Sequence, residues 1–133
     1  MTTIQNDEVA IDLDNFDKWD EIAKFEDIKA VGWSIIVRLY VEKSNHKSNL
    51  YVPSSVIDNQ KYINCTGLVV KVAKNVYMDK RYDQTGVWCD IGDWVVFPRH
   101  GGYRIVYKGM PVFILKEDAI DAIVTNPKLI TRD

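Results

Sequence analysis

Five short apolar runs with a period of two, separated by turn-forming residues, constrain this 133-residue chain more than any other feature. In the first, Ile35, Val37, Leu39 and Val41 alternate with Ile36, Arg38 and Tyr40, so one set faces a core and the other faces away, as a half-buried strand requires. The alternation recurs at residues 68–72 after Gly67, at 94–97 after Gly92-Asp93, at 103–107 and at 111–115. Lys108-Gly109-Met110 joins the last two runs and is short enough for a tight hairpin. Short strands punctuated this way predict an all-β domain, an antiparallel sandwich or barrel.

Outside the strands the pattern changes. Phe16, Trp19 and Ala23 fall on an i, i+3, i+7 stripe with Ile22 beside it, which predicts a short amphipathic helix over about residues 15–25, capped by Asp14 and favoured by Asp17 at its positive end. That stripe lays Phe16 and Trp19 on the body of the same subunit, or on a neighbouring subunit or partner. Residues 1–11 are polar without a sustained period and read as a loose tail. Residues 117–124 can form about a turn of helix and a final apolar patch, which Pro127 ends. The domain organisation is an acidic extension over 1–27, a barrel over 28–126 and a tail over 127–133.

Two connections are too long for the rhythm. Residues 42–49 contain no apolar side chain, and with the stretch to Asn64 they greatly exceed the usual four to six residues, a length that marks a functional or a disordered loop. Residues 74–88, with turn residues Asp83-Gln84-Thr85-Gly86, read as a protruding hairpin.

Charge and cysteine content narrow the functional classes. Residues 1–31 carry nine acids against three lysines, and the remainder ten acids against fourteen bases, so an acidic head sits on a mildly basic body. The basic residues are scattered singly between apolar ones, short of the clustered stripe of a nucleic-acid binder. No apolar run reaches the roughly 18 residues of a membrane span, and the first ten residues lack the pattern of a signal peptide, so the cytoplasm is the expected location. Cys65 and Cys89 are free thiols by spacing. A metal site would have to draw His46, Cys65, Cys89 and His100 from separate elements, and no nucleophile elbow or phosphate-binding glycine motif is present, so neither catalysis nor a metal is expected. One alternative remains open: a barrel of the oligonucleotide-binding type that stacks single-stranded nucleic acid on Trp94, Tyr103 and Tyr107 beside Arg104.

The order of elements resembles the chaperonin-10, or GroES-like, co-chaperonins. Residues 28–37 are similar to that family's opening I-R-P-L-x-D-R-V-x-V segment, with Ala30 and Trp33 in place of its Pro and Asp. Asn49-Leu50-Tyr51-Val52-Pro53-Ser54-Ser55 resembles the G-G-I-V-L-P-x-S of its mobile loop, and Gly67 to Ala73 its G-E-V-x-A-V-G strand. Ile91-Gly92-Asp93-Trp94-Val95-Val96-Phe97 is similar to V-G-D-x-V-x-F, and residues 114–124 to the closing I-L … D-I-L-A-I-V. The similarity covers residues 28–124 and leaves the acidic head without a counterpart. Its divergence points to a specialised member of the phage-encoded kind, acting in the host cytoplasm.

The resemblance implies a GroES-like β-barrel in a seven-subunit dome that caps a GroEL-like chaperonin ring over an unfolded client. Nucleotide is bound by the chaperonin, and this chain holds no cofactor and hydrolyses nothing. It implies a mobile loop over about residues 43–61 that docks through Leu50, Tyr51 and Val52, with Val56 and Ile57 as further contacts. It also implies a roof hairpin bearing Tyr77, Met78 and Tyr82, and a subunit interface at Ile36 and Phe113, on strands expected to be free edges. Nucleic acid and membrane are not expected partners.

Overall fold

The computed structural model describes residue 11, residues 15–40 and residues 64–130. Among the described residues one α-helix, α1 (Lys18–Ala23), precedes six strands: β1 (Ser34–Leu39), β2 (Asn64–Val72), β3 (Trp94–Pro98), β4 (Gly102–Tyr107), β5 (Met110–Lys116) and β6 (Ala122–Val124). All pairings are antiparallel, in the order β4-β5-β1-β2-β3-β6. The five alternating runs are therefore five of the six strands.

The sheet is strongly curved. In a flat sheet β3 and β5, three spacings apart, would lie about 14 Å from one another. Yet the rings of Phe97 on β3 and Phe113 on β5 approach to 5.2 Å between centroids, so the sheet wraps its inner face around a common core. Val37, Val69, Val95, Val112 and Leu115 are buried in the same cluster.

The half-buried reading of β1 is corrected. Ser34, Ile35, Ile36, Val37 and Arg38 are all buried, because β1 is the middle of the sheet, flanked by β2 and β5, and the segment before it covers its second face. The register slips between Ile36 and Val37, where Lys71 and Val69 are the partners and Val70 is left over as a bulge. Gly67, read as a turn, lies inside β2. A β-carbon there would overlap the Val37 Cγ1 and the Arg38 carbonyl, so the residue permits close approach of β1 to β2.

The hairpin between β4 and β5 is tighter than expected, with Met110 already in the strand. Tyr107 pairs with Met110, and Lys108 and Gly109 have φ values of 53° and 81°, the two left-handed residues of a type I′ turn. Residues 117–124 divide into a 3-10 turn (Glu117–Ala119) and β6, and Pro127 opens a further 3-10 turn (Pro127–Leu129) with Pro127 buried.

The N-terminal segment also departs from expectation. The helix is only six residues long, and its cap is Asp17, whose Oδ1 accepts the Trp19 amide at 3.0 Å, while Asp14 lies outside the described residues. Phe16 packs on Trp94 at 5.7 Å, but Trp19 is 59% exposed. The residues α1 and its following turn send inward are Glu21 and Phe25, and the Phe25 ring stacks on Tyr107 at 5.2 Å. Because the helix stops at Ala23, the 3.6-residue stripe does not continue, and Phe25 takes over the apolar contact. Ile11, assigned to a loose tail, is buried in the core cluster.

No strand forms in residues 74–88, so the protruding hairpin is corrected. The segment makes turns and a 3-10 helix (Lys80–Tyr82), with its aromatic side chains directed into the subunit. Among the described residues, no helix is long and apolar enough to cross a membrane.

Candidate functional site

Leu39 at the end of β1 pairs with Gly67, and the Tyr40 amide donates to the Thr66 carbonyl at 2.8 Å. The chain therefore leaves the sheet and re-enters it on neighbouring strands, and residues 41–63 form a connection whose two ends share one root. Leu50, Tyr51, Val52, Val56 and Ile57 belong to this connection, as does the expected mobile loop, and all lie outside the described residues.

The root is built from charge and aromatic contacts. The Arg38 side chain is 1% exposed, its Nε donates to Glu21 Oε2 at 2.7 Å, and its Nη1 donates to the Leu39 carbonyl at 2.9 Å. A guanidinium with so little solvent requires a carboxylate, and α1 supplies it. Glu21 also accepts Lys24 Nζ at 3.1 Å. On the other side of the root the Tyr40 ring meets Trp94 edge-on at 6.0 Å, and Trp94 in turn carries Phe16. Thr66 Oγ1 is buried with no hydrogen-bond partner among the described residues. Replacing Thr66 by Val removes that unsatisfied hydroxyl at equal volume and is expected to raise the melting temperature by roughly 2–5 °C in a thermal scan; a lower value would show that the hydroxyl is satisfied in solution.

The second site predicted from sequence is dismantled by packing. Tyr77 and Tyr82, expected on a roof, are 6% and 3% exposed and form an edge-to-face pair at 5.0 Å, with Trp88 within 5.6 Å of both. Only Met78 faces solvent, at 75% exposure. The anchor is Glu117, buried at the end of β5. Its Oε1 accepts the Tyr77 amide at 2.7 Å, its Oε2 accepts Arg81 Nη2 at 3.2 Å, and its carbonyl accepts the Tyr77 hydroxyl at 2.7 Å. These bonds hold Tyr77 at φ 64°, a backbone region that costs a bulky residue roughly 1–3 kcal/mol.

Cys89 packs against the same hydroxyl, its Sγ 3.7 Å from the Tyr77 oxygen. Burial, opposed by the contact with the Tyr77 hydroxyl and reinforced by the charges of Asp93 and Asp90, pushes the Cys89 thiol up to about 11, and burial with the Cys89 contact raises the Tyr77 phenol further still. Both groups hold protons in the folded chain that the unfolded chain gives up, from about pH 9 for Cys89 and about pH 10 for Tyr77, so stability is complete below pH 9 and declines as pH climbs toward 11. Urea midpoints are expected to fall between pH 8 and pH 10.5, with Cys89 alone accounting for at most about 2 kcal/mol. A midpoint that does not move over that interval would contradict the buried placement of both groups.

Ile36 and Phe113, expected at a subunit interface, are 2% and 6% exposed within the single chain, on strands already paired on both sides. They are core residues here, and among the described residues the strands at the edges of the sheet are β4 and β6. The nucleic-acid platform does not assemble either. Trp94 is buried and Tyr107 is stacked on Phe25, which leaves Tyr103 and Arg104 as its exposed members. Among the described residues, no three His, Cys, Asp or Glu side chains converge as metal ligands. Two residues that organise the molecule, Glu21 and Glu117, escaped the sequence reading. The one signal for the first was Arg38, a charge between Val37 and Leu39 in an otherwise apolar run.

Comparison with protein families finds that residues 27–124 match the family model described as the chaperonin 10 kDa subunit. A search of curated proteins finds no match. The matched span begins after α1, so Phe16 and Glu21 lie outside it, whereas Arg38, Tyr40, Trp94 and the β1–β2 connection lie inside.

Proposed function

Because the chain belongs to the chaperonin 10 kDa family, a family of non-enzymatic co-chaperonins, we propose that it caps a chaperonin ring as a heptameric dome and encloses an unfolded client beneath it. The observation that carries this reading is the β1–β2 connection: 23 residues (41 through 63) that depart from and return to a single root on a curved sheet. In the proposal Leu50 and Val52, alternate residues of an extended triplet, enter an apolar groove on the chaperonin, and Tyr51 lies along its rim. Val56 and Ile57 add a second apolar pair.

The energetics require several copies. Ordering some ten residues costs roughly 10–20 kcal/mol of backbone entropy, whereas burying three apolar side chains returns about 1.5–3 kcal/mol each, the remainder coming from backbone hydrogen bonds. One connection binds weakly. Several on one ring raise effective concentration and give tight but reversible capping. Nucleotide bound by the chaperonin controls release, and this chain needs no cofactor. In a ring the edges β4 and β6 are the natural surfaces to pair between subunits, since an unpaired edge otherwise invites aggregation.

Light scattering tests the assembly. The expected mass is near seven times the 15.3 kDa of one chain; a monomer at micromolar concentration would overturn the dome.

A further inference from the structure

We infer that the N-terminal extension is a brace on the root of the β1–β2 connection, with Glu21 as a positioning residue that acts through Arg38. The inference rests on the docking role proposed above for that connection, and concerns residues that the family match does not include.

Arg38 sits one position before the last residue of β1, and its guanidinium reaches in two directions. One bond runs to Glu21 on α1, the other to the Leu39 carbonyl at the very end of the strand. The position of α1 and the direction in which β1 ends are therefore tied through one rigid, planar group. The next residue is held from the other side, because Tyr40 rests on Trp94 and Trp94 carries Phe16. Both contributions come from the extension, at residues 16 and 21.

The extension is itself fastened where it can transmit that hold. Lys18 Nζ donates to the Gly92 carbonyl at 3.1 Å, just before β3, and Lys108 Nζ in the β4–β5 turn donates to the Lys24 carbonyl at 3.3 Å and to Asp27 Oδ2 at 3.1 Å. Phe25, with no exposed surface, closes the segment onto Tyr107. A segment added to the family fold for bulk alone would need only the Phe25 contact. This one spends a buried ion pair on the final residues before the docking connection.

The consequence is preorganisation. A root held in one direction presents the docking residues with less orientational freedom to lose, which strengthens each contact without adding a new one. Because every copy in a ring carries the same brace, a small gain per subunit multiplies across the assembly.

The test uses the full chain. Replacing both charges together, Glu21→Leu with Arg38→Met, removes both members of the Glu21–Arg38 pair at once, and such replacements are often neutral for stability. A second variant, Phe16→Ala, releases the aromatic arm at a half-buried position. Three quantities are measured on each: mass in solution, exchange of the Tyr40 amide against that of Val95, and the concentration that half-caps a chaperonin ring with nucleotide present. The expected result is unchanged mass, Tyr40 exchange at least tenfold faster with Val95 unaltered, and a half-capping concentration at least tenfold higher. Wild-type exchange and wild-type capping in both variants would overturn the brace. A wild-type chain that caps no chaperonin would instead overturn the docking role, and Tyr40 exchange would still report whether the root is held. If the paired variant fails to fold, Phe16→Ala decides the same question alone.

Discussion

Replacing Glu21 by Ala is expected to destabilise the fold by about 3 kcal/mol, although the residue lies outside the family match and on a helix of only six residues. The reason is the guanidinium left behind. Arg38 has almost no contact with solvent, and removing the carboxylate 2.7 Å from its Nε takes away a charge-assisted bond that water cannot replace at a buried guanidinium. For a chain of this length that loss corresponds to a melting temperature lower by roughly 10 °C. Glu21→Gln should recover part of it, since an amide oxygen can still accept from Nε but carries no charge. A Glu21→Ala melting temperature within 2 °C of wild type would show that the pair contributes nothing measurable.

Much of the architecture was legible in the residues. Period-two alternation located β1 to β5, and Lys108-Gly109 located the hairpin, because strand faces and tight turns are local properties of sequence. The errors share one cause, which is that burial depends on partners distant in the chain. Ile36 and Phe113 read as available for a second subunit because their strands are the first and fifth of the sheet in sequence, and nothing local says that both lie inside it. Tyr77 and Tyr82 read as roof residues because Asp83-Gln84-Thr85-Gly86 does signal a turn. Their actual direction is set by Glu117, 40 residues away from Tyr77. Arg38 read as the outer face of a half-buried strand, and Glu21, 17 residues upstream, supplies a carboxylate that helps make its burial tolerable. Gly67 read as punctuation because glycine ends strands more often than it lets two of them approach closely. The proposed docking residues are a different case, since Leu50 and Val52 were singled out by resemblance and by the polar stretch before them, not by any demand of the sheet.

The second large effect concerns those residues. Replacing Leu50 and Val52 together by Asp is expected to abolish nucleotide-dependent capping of a chaperonin while the mass in solution and the melting temperature stay at wild-type values. Two carboxylates cannot enter an apolar groove without a desolvation cost that exceeds what the two aliphatic side chains contribute. In the proposed ring, multivalency makes the loss close to complete, because every copy is weakened together. Unfolding of the variant would place Leu50 and Val52 in the core and remove them from the docking role.

Sedimentation of wild type and the Leu50→Asp, Val52→Asp variant with a chaperonin ring, with and without nucleotide, tests the co-chaperonin reading most directly. The account predicts that wild type travels with the ring only when nucleotide is present, near seven chains per capped end, and that the variant stays behind as an intact assembly of the same mass. Wild type that never travels with the ring, or a variant that travels with it as wild type does, would contradict it.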